Sequence, residues 1–330
     1  MNLNVSVKTV TSIVGIICLA LYFLGVYWSF EPEKLDIRQE VIDAAKTENV
    51  SPVVGYTTTT ALIRVTETIL NKPGGYLAND ALPPSVFLDN IPAWEFGALE
   101  MIRDMALVMR QEFSRSQSQS VENAQLKIAQ PQLNIDHTSW AMPSAENEYQ
   151  KAIDALYIYR KQLTDVNSQD AQFYARADNL RDWLQEVTKR MGSYSQRLSA
   201  SVGREQLNTD LAGDDVASQS TYANQQQQVK TSWWQIDNEF YEARGASWVL
   251  LHFLKAIEID FNDVLAKKNA KVSLQQIIRE LEASQEAIWS PMILNGDGFG
   301  ILANHSLVMA NYISRANAAL IDLNDLLSQG

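Results

Sequence analysis

Cysteine is almost missing from this 330-residue chain, Cys18 being the single one. That excludes an intramolecular disulfide and any site built from several thiolates. Histidine is nearly as scarce. His137, His252 and His305 lie far apart, so a three-histidine metal centre would need all of them to converge, and neither a metal nor a cofactor is expected. Glycine (14) and proline (9) are few and clustered, which leaves long stretches free of helix breakers. The patterns H-E-x-x-H, G-x-S-x-G, Walker A and G-x-G-x-x-G do not occur. Acidic residues are absent from the first thirty positions: all 39 lie beyond residue 30, and only Lys8 of the 27 basic residues precedes it. The rest of the chain therefore carries a net charge of −13, against −12 for the whole, and would be repelled by nucleic-acid phosphates. Nucleic acid is not an expected partner.

What the N-terminus has is a long uncharged run. Thr9 to Phe30 contains no Asp, Glu, Lys, Arg or His. As a helix rising about 1.5 Å per residue it spans about 33 Å, enough for a hydrocarbon core of about 30 Å. Tyr27, Trp28 and Phe30 gather at its end, where amphipathic rings favour the interface, before Glu31-Pro32-Glu33 stops it. A signal peptide has a shorter apolar stretch ending in a small-x-small site. Cys18-Leu19-Ala20 imitates one, but the apolar run continues well past it. The expected organisation is a tail at 1–8, a transmembrane helix at 9–30 in contact with the lipid bilayer, and a helical soluble domain at 31–330. Lys8 and the α-amine precede the helix while Lys34, Arg38 and Lys46 follow it, so local charge does not orient it.

The soluble part reads as all-α, an elongated multi-helix bundle with one long antiparallel hairpin projecting from it. Helices are predicted at Leu35–Asn49, Gly55–Leu70 and Trp94–Arg115, the last running on toward Ala129. Pro131–Ser144 reads as a linker ending in an N-cap at Ser144, with Glu146 and Glu148 in the first turn. The chain is then helical to about Arg204, broken near Val166–Asp170, and 205–228 is a polar connection. Ser232-Trp233-Trp234-Gln235 matches a capping box that opens a helix to about Lys268. Ser273–Trp289 and Leu302–Leu327 complete the set.

Two segments carry more chemistry than packing requires. At 100° per residue, Asp237, Tyr241, Arg244, Trp248 and His252 share one face of the helix that follows Trp233. Turned inward, its charges must pair. It reads as a structural ion-pair network, or as a ligand or partner pocket with Arg244 as an anion clamp. The second segment is the loop at 71–95, where Tyr76, Asp80, Asp89, Asn90, Trp94 and Glu95 set carboxylates beside aromatic rings. That is the chemistry of glycan cleavage, and equally of turns and helix starts. Gly296-Asp297-Gly298-Phe299-Gly300 reads as a helix–helix turn lacking the acidic positions of a calcium loop.

Tyr27-Trp28-Ser29, Glu31-Pro32, the Pro73–Asp80 loop, Leu88–Glu95 and Phe240-Tyr241-Glu242-Ala243-Arg244-Gly245 together resemble a bacterial family known as domain of unknown function 2333. The resemblance covers nearly the whole chain and brings no catalytic residue with it. It implies a Gram-negative source, an inner-membrane anchor and a periplasmic C-terminal domain. The expectation is a membrane-tethered envelope scaffold or adaptor that binds another protein. The alternative is a periplasmic hydrolase or glycan-binding protein centred on the 71–95 loop.

Overall fold

The computed structural model describes residues 7–116, 121–165, 171–207, 226–290, 292–297 and 300–329. Among the described residues the chain is all-α apart from one short strand pair. Its apolar N-terminal run forms α1 (Val7–Trp28). There follow α2 (Ile37–Glu48), α3 (Tyr56–Asn71), α4 (Asn90–Val108), α5 (Ala124–Leu133), α6 (Ala145–Thr164) and α7 (Ala177–Ser199). After the antiparallel strands β1 (Arg204–Leu207) and β2 (Gln226–Val229) come α8 (Ile236–Asp260), α9 (Asn262–Lys267), α10 (Lys271–Ser284) and α11 (His305–Ser328). The strands pair the two ends of the predicted polar connection, whose middle, 208–225, lies outside the described residues, as does the predicted break at 166–170.

The centre of the bundle is the pair α4 and α8, which run in the same direction. At one end Gly97 lies against the backbone of Glu242 and Gly245 against that of Trp94; at the other Phe113 stacks on Phe261 at 5.3 Å. Trp94 and Trp248 meet between the two helices, 5.4 Å apart. Around this pair the helices alternate in direction. Arg190 on α7 reaches Glu100 and Asp104, Arg103 binds the carbonyl of Leu133 at the end of α5, and Arg315 on α11 reaches Glu280 on α10. The α6 helix packs on α3 and α5, and α7 on α11 and α4, so both are part of the bundle, and among the described residues no long helical hairpin projects from it. One continuous apolar core results, from Ile37 to Leu327.

Several helix limits differ from the sequence reading, α10 for instance stopping at Ser284 rather than Trp289. The α4 helix loosens into a π turn, Met109–Phe113, and stops there, because the Phe113 carbonyl accepts the amide of Tyr174 at 2.7 Å instead of continuing the helical ladder. The next helix, α5, runs through Pro131 to Leu133, so the linker begins later than proline chemistry suggests. Ser232 makes no capping bond; Trp233–Gln235 form a 3₁₀ turn, and α8 begins at Ile236. Ser144 does cap α6, its hydroxyl accepting from the Asn147 amide.

Candidate functional site

The α8 face singled out by its periodicity is occupied by the chain itself. Arg244, Trp248 and His252, one helical turn apart, each hold a residue of the non-helical segment that leaves α1. Arg244 Nε donates to Glu31 at 2.6 Å, Trp248 Nε1 to the Glu33 carbonyl at 3.3 Å, and His252 Nε2 accepts the Leu35 amide at 2.8 Å. The spacing has a simple origin. Four helical residues advance about 6 Å, and two residues of extended chain advance nearly the same distance. Alternate residues 31, 33 and 35 therefore stay in step with every fourth residue of α8.

Each polar group in this seam has a use. The Arg244 guanidinium also donates to the carbonyls of Ser284 and Gln285, at the end of α10. Burial pushes the Glu31 carboxyl above its ordinary range, against the pull of Arg244. His252 lies fully buried, with Nδ1 bonded to the Trp248 carbonyl at 2.6 Å, so Nδ1 must carry the proton if Nε2 is to accept from Leu35. Burial lowers its pKa to about 4, which keeps the ring neutral. Tyr241 and Asp237 are only partly covered, and Asp237 is shifted upward by burial and by nearby Asp89. The face is a filled seam, with no room for a separate ligand between Arg244 and Glu31.

The seam continues on the other side of α1. The Trp28 indole lies on the Gly74 backbone: a methyl group built on Gly74 would sit 2.7 Å from the ring, and its φ of +85° independently favours glycine. Glu95 closes this loop from beneath. It is fully buried, takes Lys72 Nζ at 2.6 Å, and accepts the amides of Leu77 and Ala78. Burial raises its pKa to about 7, outweighing the attraction of Lys72. Tyr76 is buried edge-on to Tyr149 and donates to the His137 carbonyl. Trp94 is in the core, whereas Asp80 and Asp89 are exposed and Asn90 opens α4. The structure does not gather these six residues around an open cleft, and Glu95 has no oxygen free to meet a substrate. As placed, Glu95 is a clamp closed on its own loop.

Sequence reasoning named the α8 half of the seam and missed its partners: Glu31, Glu33, Leu35, Ser284 and, for Glu95, Lys72. The one available signal was a carboxylate placed directly after the apolar run. A groove of about 660 Å³ between α4 and α7, around Glu100, Arg190 and Tyr194, was also missed. Its charges are already paired, Arg190 with Glu100 and Asp104, and Arg197 with Glu239 and Glu242. Among the described residues, no group of three or more His, Cys, Asp or Glu is placed to hold a metal ion.

The α1 helix is long and apolar enough to cross a membrane, and nearly all of its surface is uncovered. No curated protein and no solved structure matches the chain. The model of the family described as "Uncharacterized protein conserved in bacteria (DUF2333)" matches residues 2–330, and the chain belongs to that family.

Proposed function

We propose that this is a single-pass protein of the bacterial inner membrane, its helical domain held in the periplasm as a scaffold or adaptor for another protein. The observation that carries the reading is the seam of Glu31, Glu33 and Leu35 with Arg244, Trp248 and His252. A flexible tether needs no such fixing; a platform presented at one height and angle does. The same seam favours a retained anchor over a cleaved leader. Trp28 and Gly25 pack on the domain, so removing α1 would strip a contact surface from the fold. The periplasmic side is our reading of a bacterial chain with a small N-terminal tail and a large C-terminal domain; the flanking lysines and arginines do not orient the helix.

The test has two arms. Full-length protein should resist alkaline extraction from membranes, and its domain should be cut by protease in spheroplasts but not in intact cells. Photo-crosslinkers on the exposed faces of α6 and α10 should trap one reproducible protein partner in native membranes. An N-terminus starting beyond residue 28 would remove the anchor from the reading. Repeated recovery of uncrosslinked protein alone would remove the adaptor role.

A further inference from the structure

Of the eight tryptophans, Trp94, Trp183 and Trp248 are buried and Trp28 is half-covered at the end of α1. The four exposed ones are Trp140 (73%), Trp233 (68%), Trp234 (77%) and Trp289 (96%). They come from three separate connections, yet all lie at the end of the bundle from which α1 departs. The α8 helix runs away from α1, because residues 31 to 35 climb along Arg244 to His252. Trp233 and Trp234 precede it and are therefore at the near end. The α10 helix runs back to the same end, where Ser284 meets Arg244, and Trp289 follows it. Trp140 sits in the loop that Tyr76 and Asn79 hold through the carbonyls of His137 and Ser139. The far-end connections hold no tryptophan.

A fourth connection at this end reaches further. A methyl built on Gly25 would lie 3.4 Å from Pro84 and 3.7 Å from Leu88, so the Pro83–Leu88 turn packs beside α1 one turn inside its end. Its exposed side chains are Leu82, Val86 and Phe87. Pro83 and Pro84 have no N–H, and the amides of Val86, Phe87 and Leu88 donate to Leu82, Pro84 and Ser85 of the same turn. Donors removed or used internally, as at these five positions, are what hydrocarbon demands of a backbone. Tryptophan in turn favours the headgroup level, with its ring in the apolar zone and its N–H in water.

We propose that this end of the bundle is a bilayer-seated face: Phe87 enters the acyl region beside α1, and Trp140, Trp233, Trp234 and Trp289 lie in the interface of the same leaflet. This rests on the reading of α1 as a retained membrane helix. The seam to α8 fixes the face against the membrane surface. The domain's net negative charge leaves apolar and aromatic insertion, not headgroup charge, as the source of binding.

The test uses full-length protein in nanodiscs, with Cys18→Ala removing the only native thiol and single cysteines carrying an environment-sensitive fluorophore. Sites are Phe87→Cys, Trp140→Cys, Trp234→Cys and Trp289→Cys, with Ile16→Cys on α1 as the membrane reference and Val272→Cys at the far end as the water reference. Nitroxide lipids should quench residues 16 and 87 from the acyl region and 140, 234 and 289 from the headgroup region, by about twofold or more. Residue 272 should be unaffected, and zwitterionic lipid should serve as well as anionic. If 16 is quenched while the loop sites behave like 272, the seated face is refuted and the anchor stands. Loop sites that are shielded from water yet not quenched by lipid would mean a protein cover, a second copy included, and would also refute it. No quenching at 16 would overturn the anchor and the face together.

Discussion

Arg244 and Glu31 join the helical core to the segment that leaves the apolar helix, 213 positions apart in sequence and 2.6 Å apart in space. Both are largely buried, and Arg244 has its remaining donors on two carbonyls of the α10 end. Removing one member leaves a charge without its partner in a dry site. Arg244→Met should therefore destabilise the full chain by about 3–5 kcal/mol. Glu31→Gln with Arg244→Met should cost clearly less than the two single changes added together. Unfolding of all four proteins in the same detergent closes the cycle. Strict additivity would show that the pair does not couple the junction to the core.

His252 gives the junction a pH dependence whose sign follows from its burial. The folded pKa is near 4 and the ordinary value is 6.5. Between those values the unfolded chain binds a proton that the folded chain refuses, so stability is lost as pH falls. The full effect is about 3 kcal/mol. Protonation of Nε2 would also turn an acceptor into a donor facing the Leu35 amide, which opens the seam. Glu31 is shifted upward and acts in the opposite sense, so the informative quantity is wild type minus His252→Gln across pH 4 to 6.5. Wild type should lose more stability on acidification. Parallel curves would refute the assignment.

How much of this was legible in the sequence depended on range. Apolar run, helix periods and local caps are short-range chemistry: α1, α2, α3 and the Ser144 cap stand within a few residues of their expected places. Periodicity also put Arg244, Trp248 and His252 on one face. It gave no hint of what covers that face, because residues 31–35 arrive there only through the path of the whole chain. Glu95 misled for a related reason. A carboxylate near glycine and tryptophan looks alike in a cleft and in a clamp, and only the buried Lys72 and two backbone amides decide between them.

The clamp makes its own prediction. Glu95→Gln keeps the shape and one acceptor for the loop amides but leaves Lys72 buried without a counter-charge, a loss of about 3–5 kcal/mol. Adding Lys72→Met should recover most of it. Loop order can be followed by amide exchange at Leu77 and Ala78, which should become unprotected in the single variant and regain protection in the double. A Glu95→Gln protein as stable as wild type would reopen the view of Glu95 as a residue free for chemistry.

The close approach of α4 to α8 at two glycines gives the sharpest sign test. On propensity alone, replacing a mid-helix glycine by alanine should stabilise by about 1 kcal/mol. At Gly97 the added methyl would lie 1.9 Å from the Glu242 carbonyl oxygen, and at Gly245 2.0 Å from that of Trp94. Both obstacles are backbone atoms of the facing helix, so no rotamer change relieves them. The helices must separate, undoing the contact of Trp94 with Trp248. Overpacking of a tight core costs about 1–3 kcal/mol, and a clash with rigid backbone belongs at or above the top of that range. Gly97→Ala and Gly245→Ala should each lower the unfolding temperature, whereas Gly192→Ala on α7, where the nearest atom is a side-chain amide 3.6 Å away, should be neutral or raise it. Equal effects at all three glycines would mean that the α4–α8 crossing tolerates a wider separation than its geometry implies.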